Sequence, residues 1–225
     1  MMDDDLKKQV AWAALEHVHD ARVVGVGTGS TVNYFIEALA TLKGHLDAVV
    51  PSSKATELLL RAQGLPVVDL NGVDGVEIYV DGADEVNPLR QLIKGGGGAL
   101  TQEKIIASAS HRFVCIVHES KLVRHLGAFP LAVEVIPMAR GFVARALVAL
   151  GGSPHYRQGF VTDNGNIILD VLDLPLETML DLEYHLNNIP GVVEHGFFSK
   201  RLPDEVLVAG SMGVQCLSQL VGTKL

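Results

Sequence analysis

Short, largely apolar runs punctuate the first half of the chain, alternating at first with stretches of helical spacing. Residues 22–27, 48–50, 66–70, 77–80 and 113–117 read as strands, while 6–18, 30–42 and 54–63 read as helices. A strand with no polar face must be covered on both sides, which is the situation of a parallel sheet between two layers of helices. The expected class is therefore α/β, with a Rossmann-like parallel-sheet domain. The rhythm changes after Pro130. A strand at 131–136, a helix at 138–150, strands at 154–161 and 166–172, a helix at 176–188 and a strand at 192–198 follow one another. That β-α-β-β-α-β order predicts a second, smaller α+β ferredoxin-like domain. Residues 205–209 read as a strand returning to the first. The expected partition is 1–128 plus 202–225 for the α/β catalytic domain and 129–201 for the small one. A chain of 225 residues is long for one core and short for two large ones, which suits this division.

Charge narrows the class of partner. The formal net charge is −8, which works against nucleic acid, since duplex binding depends on Lys and Arg neutralising phosphates. A small phosphorylated ligand is still compatible, provided the site supplies its own cations. No apolar run approaches the ~20 residues needed to span a bilayer. The acidic start, Met1-Met2-Asp3-Asp4-Asp5, is unlike a secretory signal. The expectation is a cytoplasmic protein with no membrane partner. Two cysteines, Cys115 inside an apolar strand and Cys216, imply no disulfide framework. The nine histidines form no cluster with metal-ligand spacing.

Three segments carry chemistry. Gly25-Val26-Gly27-Thr28-Gly29-Ser30-Thr31 joins a strand to a helix, where glycines permit a tight turn and exposed amides at the helix start favour an anion. A dinucleotide fingerprint would need glycine at 30 or 32, and Ser30 and Val32 stand there; a nucleotide P-loop would need a lysine that is absent. Thr28, Ser30 and Thr31 add hydroxyls suited to phosphate oxygens. The second segment, Asp81-Gly82-Ala83-Asp84-Glu85, follows a strand directly, where open α/β sheets bind ligands. Read alone, its carboxylates suit sugar hydroxyls or proton relay, a solvated Asp-Gly turn equally well, and magnesium less well. The third is Lys94-Gly95-Gly96-Gly97-Gly98-Ala99-Leu100-Thr101-Gln102-Glu103-Lys104. Four glycines cost backbone entropy on ordering, so they belong where amides must approach a ligand and form an anion-stabilising nest. A cation, a row of amides and a carboxylate are thus brought to one place. Lys121, after the strand at 113–117, could reach a phosphate or be solvated; Lys7 on the first helix reads as surface.

Together these pieces suit proton transfer next to a carbonyl. A sugar-phosphate deaminase and a non-catalytic sugar-phosphate sensor are the competing readings. The segments Gly25 to Thr31, Ser52-Ser53, Asp81 to Glu85, Lys94 to Leu100 with Glu103-Lys104, and Val135 to Arg140 (VIPMAR) resemble ribose-5-phosphate isomerase A. So do 159–170 (GFVTDNGNIILD) and 191–198, so the resemblance runs through the whole chain in order. It implies interconversion of ribose 5-phosphate and ribulose 5-phosphate through an enediolate, without cofactor or metal, by a homodimer or larger homo-oligomer. By the same resemblance Glu103 is the general base, and Lys94 with Gly95, Gly96 and Gly97 stabilises the enediolate. Asp81 and Asp84 hold sugar hydroxyls and assist ring opening, with Gly82 and Ala83 between them as substrate-binding positions. Thr28, Gly29, Ser30, Thr31 and Lys121 form the substrate and phosphate set, and Lys7 is a further member.

Overall fold

The computed structural model describes residues 2–176 and 181–217. The helix α1 (Met2–Ala13) and the short α2 (Leu15–Val18) lead into β1 (Val23–Val26), α3 (Ser30–Leu39), β2 (Ala48–Pro51), α4 (Lys54–Ala62) and β3 (Val76–Asp81). Two-residue strands β4 (Glu85–Val86) and β5 (Leu92–Ile93) precede α5 (Leu100–Ala109) and β6 (Ser110–His118). Then come β7 (Leu131–Val135), α6 (Arg140–Ala149), β8 (Ser153–Tyr156), β9 (Ile167–Leu172), α7 (Leu182–Asn187), β10 (Val192–His195) and β11 (Phe197–Phe198). The hairpin β12 (Glu205–Gly210) and β13 (Gly213–Cys216) closes the described chain.

The main sheet has the order β13-β12-β6-β3-β1-β2, parallel throughout except at the β13 edge. Successive residues of β6 show why its sequence is apolar without interruption. Val114 and Ile116 enter the core under α1 and α3, with Val10, Phe35 and Leu39, while Phe113, Cys115 and Val117 enter the opposite core with Ile106 of α5. The chain leaves β1 for β2 on one side and then places β3 on the other. That reversal opens a crevice beyond the carboxyl ends of β1 and β3, the usual ligand position in an open parallel sheet.

The second sheet, β10-β7-β9-β8, is antiparallel at every pairing, as the split β-α-β-β-α-β arrangement requires. Its core joins Val133, Val135, Leu169 and Val171 to Val143, Leu147, Leu182 and Leu186 of the two helices.

Several expected elements differ. Residues 66–70 do not form a strand; they touch the edge of β2 at a single Val49–Val67 bridge before a short 3-10 turn at Leu70–Gly72. Pro66 has no amide to donate, so it can only sit at such an edge. The strand expected over 154–161 ends at Tyr156. That expected over 192–198 breaks at Gly196 and divides between two sheets, β10 on β7 and β11 on β5. Strands β4, β5 and β11 make a third, three-stranded sheet that joins the two larger ones. Of the helix expected over 176–188, residues 182–187 are helical and 177–180 lie outside the described residues, as do 218–225 of the larger expected domain and Met1. Among the described residues no helix is long and apolar enough to cross a membrane.

Candidate functional site

Three chain segments meet at the crevice. Asp81 is the last residue of β3 and is fully buried. Its Oδ1 accepts from the amides of Thr28 (3.0 Å) and Gly82 (2.7 Å), and its Oδ2 accepts from the Tyr79 hydroxyl. The loop after β1 must run close to this carboxylate: a Cβ on Gly27 would lie 1.9 Å from Asp81 Oδ1. Gly27→Ala should therefore displace Asp81 and cost about 1–3 kcal/mol of stability as overpacking. The expected result is a lower unfolding temperature together with reduced turnover; unchanged values of both would refute this account of the glycine.

Lys94 leaves β5 with its amide donating to Gly196 O at 2.8 Å. Its ammonium lies 2.8 Å from Asp81 Oδ2 and 3.2 Å from Glu103 Oε2, and donates to the Gly82 carbonyl at 2.6 Å. Glu103 stands in the first turn of α5 and is 4% exposed. Its Oε2 has only the ion-pair contact to Lys94, which lacks hydrogen-bond geometry, and is otherwise without a partner. Between these two residues the glycine run turns back on itself. Gly95 has φ +107, and a Cβ there would meet Ala132 Cβ at 2.7 Å, so only glycine fits. Asp84 Oδ2 accepts from the Gly96 amide at 2.8 Å.

Burial is the main influence on the Glu103 carboxyl and the neighbouring Asp81 adds to it, while Lys94 opposes both; the pKa is pushed up to about 8. The start of α5 would favour the anion, yet desolvation prevails. For Lys94 burial favours the neutral amine, but Asp81 and Glu103 outweigh it and raise the pKa, so the ammonium stays charged. Burial and the same two carboxylates hold the Tyr79 phenol well above its ordinary value, which keeps it a donor. Burial also pushes the Cys115 thiol up to about 12, leaving it an inert core residue.

A cavity of about 290 Å³ opens over this cluster. Of the residues singled out in the sequence, Lys7, Thr28, Gly29, Ser30, Thr31, Gly82, Ala83, Asp84, Lys94, Gly95, Gly96, Gly97, Glu103 and Lys121 all line it. Asp81 does not; it reaches the cavity through Lys94 and the amides it accepts from. Lys7 comes from α1 and lies 3.6 Å from Asp4, so the first helix contributes a cation to the site rather than to open surface. Lys121 ends a short 3-10 turn after β6. The Thr28 hydroxyl is engaged within the protein, with Ser52 and Ser53 at 2.8 Å and Thr56 at 3.1 Å. Among the described residues no group of three or more His, Cys, Asp and Glu side chains is placed to hold a metal ion.

The cluster therefore combines a carboxyl poised near neutrality, a fixed ammonium and a glycine-lined wall, with lysines and a helix start at the same cavity. That is equipment for moving a proton on a small anion and stabilising the charge that results. A model of the ribose 5-phosphate isomerase A (phosphoriboisomerase A) family matches residues 48–213. The chain belongs to the ribose 5-phosphate isomerase A family. A ribose-5-phosphate isomerase A of Legionella pneumophila is 62% identical over 213 residues, which cover 95% of this chain and 99% of that protein. The crystal structure of ribose 5-phosphate isomerase A from Neisseria gonorrhoeae has a TM-score of 0.92 at 46% identity, covering 95% of this chain and 96% of that one. A D-ribose-5-phosphate isomerase solved in complex with phospho-erythronic acid has a TM-score of 0.90 at 39% identity, covering 96% and 99%.

Within this family site, two features escaped the reading of the sequence. Tyr79 reads as a core strand residue, and its ring does pack on Phe113 (5.2 Å between centroids). The legible signal was its spacing: two residues before Asp81 on a strand, it shares that residue's face. Lys104, adjacent to Glu103, points elsewhere. Its ammonium is 2.9 Å from Glu194 Oε1 and from the Phe197 carbonyl, tying α5 to β10 and β11.

Proposed function

We infer that this chain interconverts D-ribose 5-phosphate and D-ribulose 5-phosphate by proton transfer through an enediolate. The single observation that carries the reading is the Lys94–Glu103 pair on the wall of one cavity, in a chain that belongs to the ribose 5-phosphate isomerase A family. Glu103, ionised, removes the proton from C2 of the open-chain aldose, which leaves an enediolate with its negative charge on the C1 oxygen. The proton of the C2 hydroxyl passes to the C1 oxygen, and Glu103 returns its own proton to C1, leaving the C2 oxygen as the ketone carbonyl. Each step is a proton transfer, and the oxidation level is exchanged between two carbons of one molecule, so the chemistry calls for no external redox cofactor. Lys94 and the amides of Gly95 and Gly97 face the charge that develops on oxygen, while Gly96 anchors the loop on Asp84. One well-placed donor of this kind is worth about 3–4 kcal/mol. Asp81 fixes Lys94, and Asp84 with Gly82 and Ala83 holds sugar hydroxyls and assists ring opening. Gly29, Ser30 and Thr31 at the start of α3, with Thr28 behind them, bind substrate and phosphate together with Lys121 and Lys7.

The same proposal takes residues 1–128 with 202–225 as the catalytic unit and 129–201 as the small one, in a cytoplasmic homodimer or larger assembly. Light scattering of the purified chain reports the assembly. The activity is tested with metal-stripped protein and ribose 5-phosphate, following ketose formation, with glucosamine 6-phosphate in parallel. Rapid ribulose 5-phosphate formation is the expected result. Ammonia from the amino sugar without pentose turnover would overturn it in favour of a deaminase.

A further inference from the structure

Arg157 follows β8 on the loop leading to β9, and its amide donates to Ile168 O at 3.0 Å. Its guanidinium makes a two-point pair with Asp170 of β9, Nε to Oδ2 at 2.8 Å and Nη2 to Oδ1 at 2.5 Å. The third nitrogen, Nη1, donates to the carbonyl oxygens of Gly95 (3.1 Å) and Gly96 (3.2 Å). The guanidinium also lies over the Phe160 ring, 5.4 Å from its centroid. A side chain of the antiparallel sheet thus grips the glycine loop from behind, while neither Arg157 nor Asp170 lines the cavity.

Peptide geometry turns this grip into an orientation of donors. A trans peptide is planar, and its C=O and N–H point in opposite directions; no peptide bond among the described residues is cis. With the Gly95 carbonyl on Arg157, the Gly96 N–H faces the other way, where it meets Asp84 Oδ2 at 2.8 Å. With the Gly96 carbonyl on Arg157, the Gly97 N–H is likewise turned away from the small sheet, and Gly97 lines the cavity. Consecutive glycines have no side chains with which to hold such an arrangement and lose much freedom in adopting it. Asp170 balances the guanidinium charge, so the clamp acts through geometry and adds little net charge to the site. The planar fork of arginine reaches a carboxylate and two carbonyls at once, which an ammonium does not.

We propose that Arg157, pinned by Asp170, is a positioning residue for the isomerisation: it holds the glycine loop so that the Gly96 amide anchors on Asp84 and the Gly97 amide is preset toward the developing enediolate oxygen. The proposal rests on the isomerase reading above. Turnover by the unaltered chain reports on that reading and the ratio of variant to unaltered chain reports on Arg157, so the two fail separately. Arg157→Ala, Arg157→Lys and Asp170→Asn are compared by steady-state kinetics with ribose 5-phosphate and by inhibition with two probes. Inorganic phosphate engages only the phosphate end; phospho-erythronic acid also presents a carboxylate that stands in for the enediolate. In Arg157→Ala, kcat should fall roughly 10–100-fold, as expected for amides displaced by a fraction of an ångström. Inhibition by phospho-erythronic acid should weaken by a similar factor, while KM and inhibition by phosphate move less than about threefold. Arg157→Lys should stay close to Arg157→Ala, and Asp170→Asn should lose a smaller factor because the guanidinium remains. A kcat within about twofold of the unaltered chain, or phosphate inhibition weakening in step with kcat, would overturn the proposal. Should Arg157→Ala not fold, Arg157→Lys decides by the same two criteria.

Discussion

Glu103→Gln is expected to bind ribose 5-phosphate with nearly unchanged KM and to lose roughly 10²–10⁴-fold in kcat, the range for removal of a positioned general base. The amide keeps the shape of the side chain beside Lys94 and can carry no proton between C1 and C2. The unaltered chain should show kcat/KM rising about tenfold per pH unit below the pKa of the base and levelling above it. With Glu103 pushed up to about 8 by burial and by Asp81, that limb runs through neutrality and levels off on its alkaline side, and the residual activity of the variant lacks it. Stability gives a second readout of the same group. A carboxyl with a raised folded-state pKa contributes stability that is complete below its unfolded value near 4.5 and is lost as pH rises to about 8. Glutamine does not titrate. The unfolding temperature of Glu103→Gln relative to the unaltered chain should therefore climb between pH 5 and 8 and level off beyond. Near-normal turnover in the variant would remove Glu103 from the role of base.

The sequence disclosed most where one segment answers to local rules. Residues 113–117 are apolar on both faces because both faces of β6 are covered, and no distant information is needed to see it. The residue run from Lys94 to Glu103 was equally open, since four glycines between a cation and a carboxylate have few other uses. What stayed hidden depends on partners far along the chain. Strand 192–198 breaks at Gly196, and a Cβ there would lie 1.9 Å from the Lys94 carbonyl, so the glycine answers to a contact across about a hundred residues. Strands β4, β5 and β11 have two residues each, too few to show any period. The hydroxyl of Thr28 reads as a phosphate donor, and the fold instead sets it among Ser52, Ser53 and Thr56. Lys94 and Lys104 look alike as letters near Glu103; α5 and β5 send one to the cavity and the other to Glu194.

Removing Lys94 should damage both rate and stability, and the two effects can be separated. Lys94→Met keeps the bulk of the side chain while leaving Asp81 and Glu103 without the cation they share at 2.8 and 3.2 Å. Loss of a donor to the developing oxyanion predicts a fall in kcat of roughly 10²–10³-fold. The loss at neutral pH should be larger still. Lys94 is the charge that restrains the rise of the Glu103 pKa, so without it the base titrates further to the alkaline side and the pH limb of kcat/KM moves with it. Breaking a buried pair by deleting one partner typically costs about 3–5 kcal/mol. Here the cost depends on pH, because Glu103 can relieve it by taking up a proton. The unfolding temperature of Lys94→Met should fall most steeply above neutrality, where both carboxylates are charged in a dry site. Adding Glu103→Gln to Lys94→Met should then restore part of the stability and none of the rate. That opposite response is the decisive measurement: recovery of stability without turnover identifies Lys94 as the counter-charge of a working base. If Lys94→Met alone leaves kcat and its pH limb in place, the ammonium stands outside the reacting region and the site must be assigned anew.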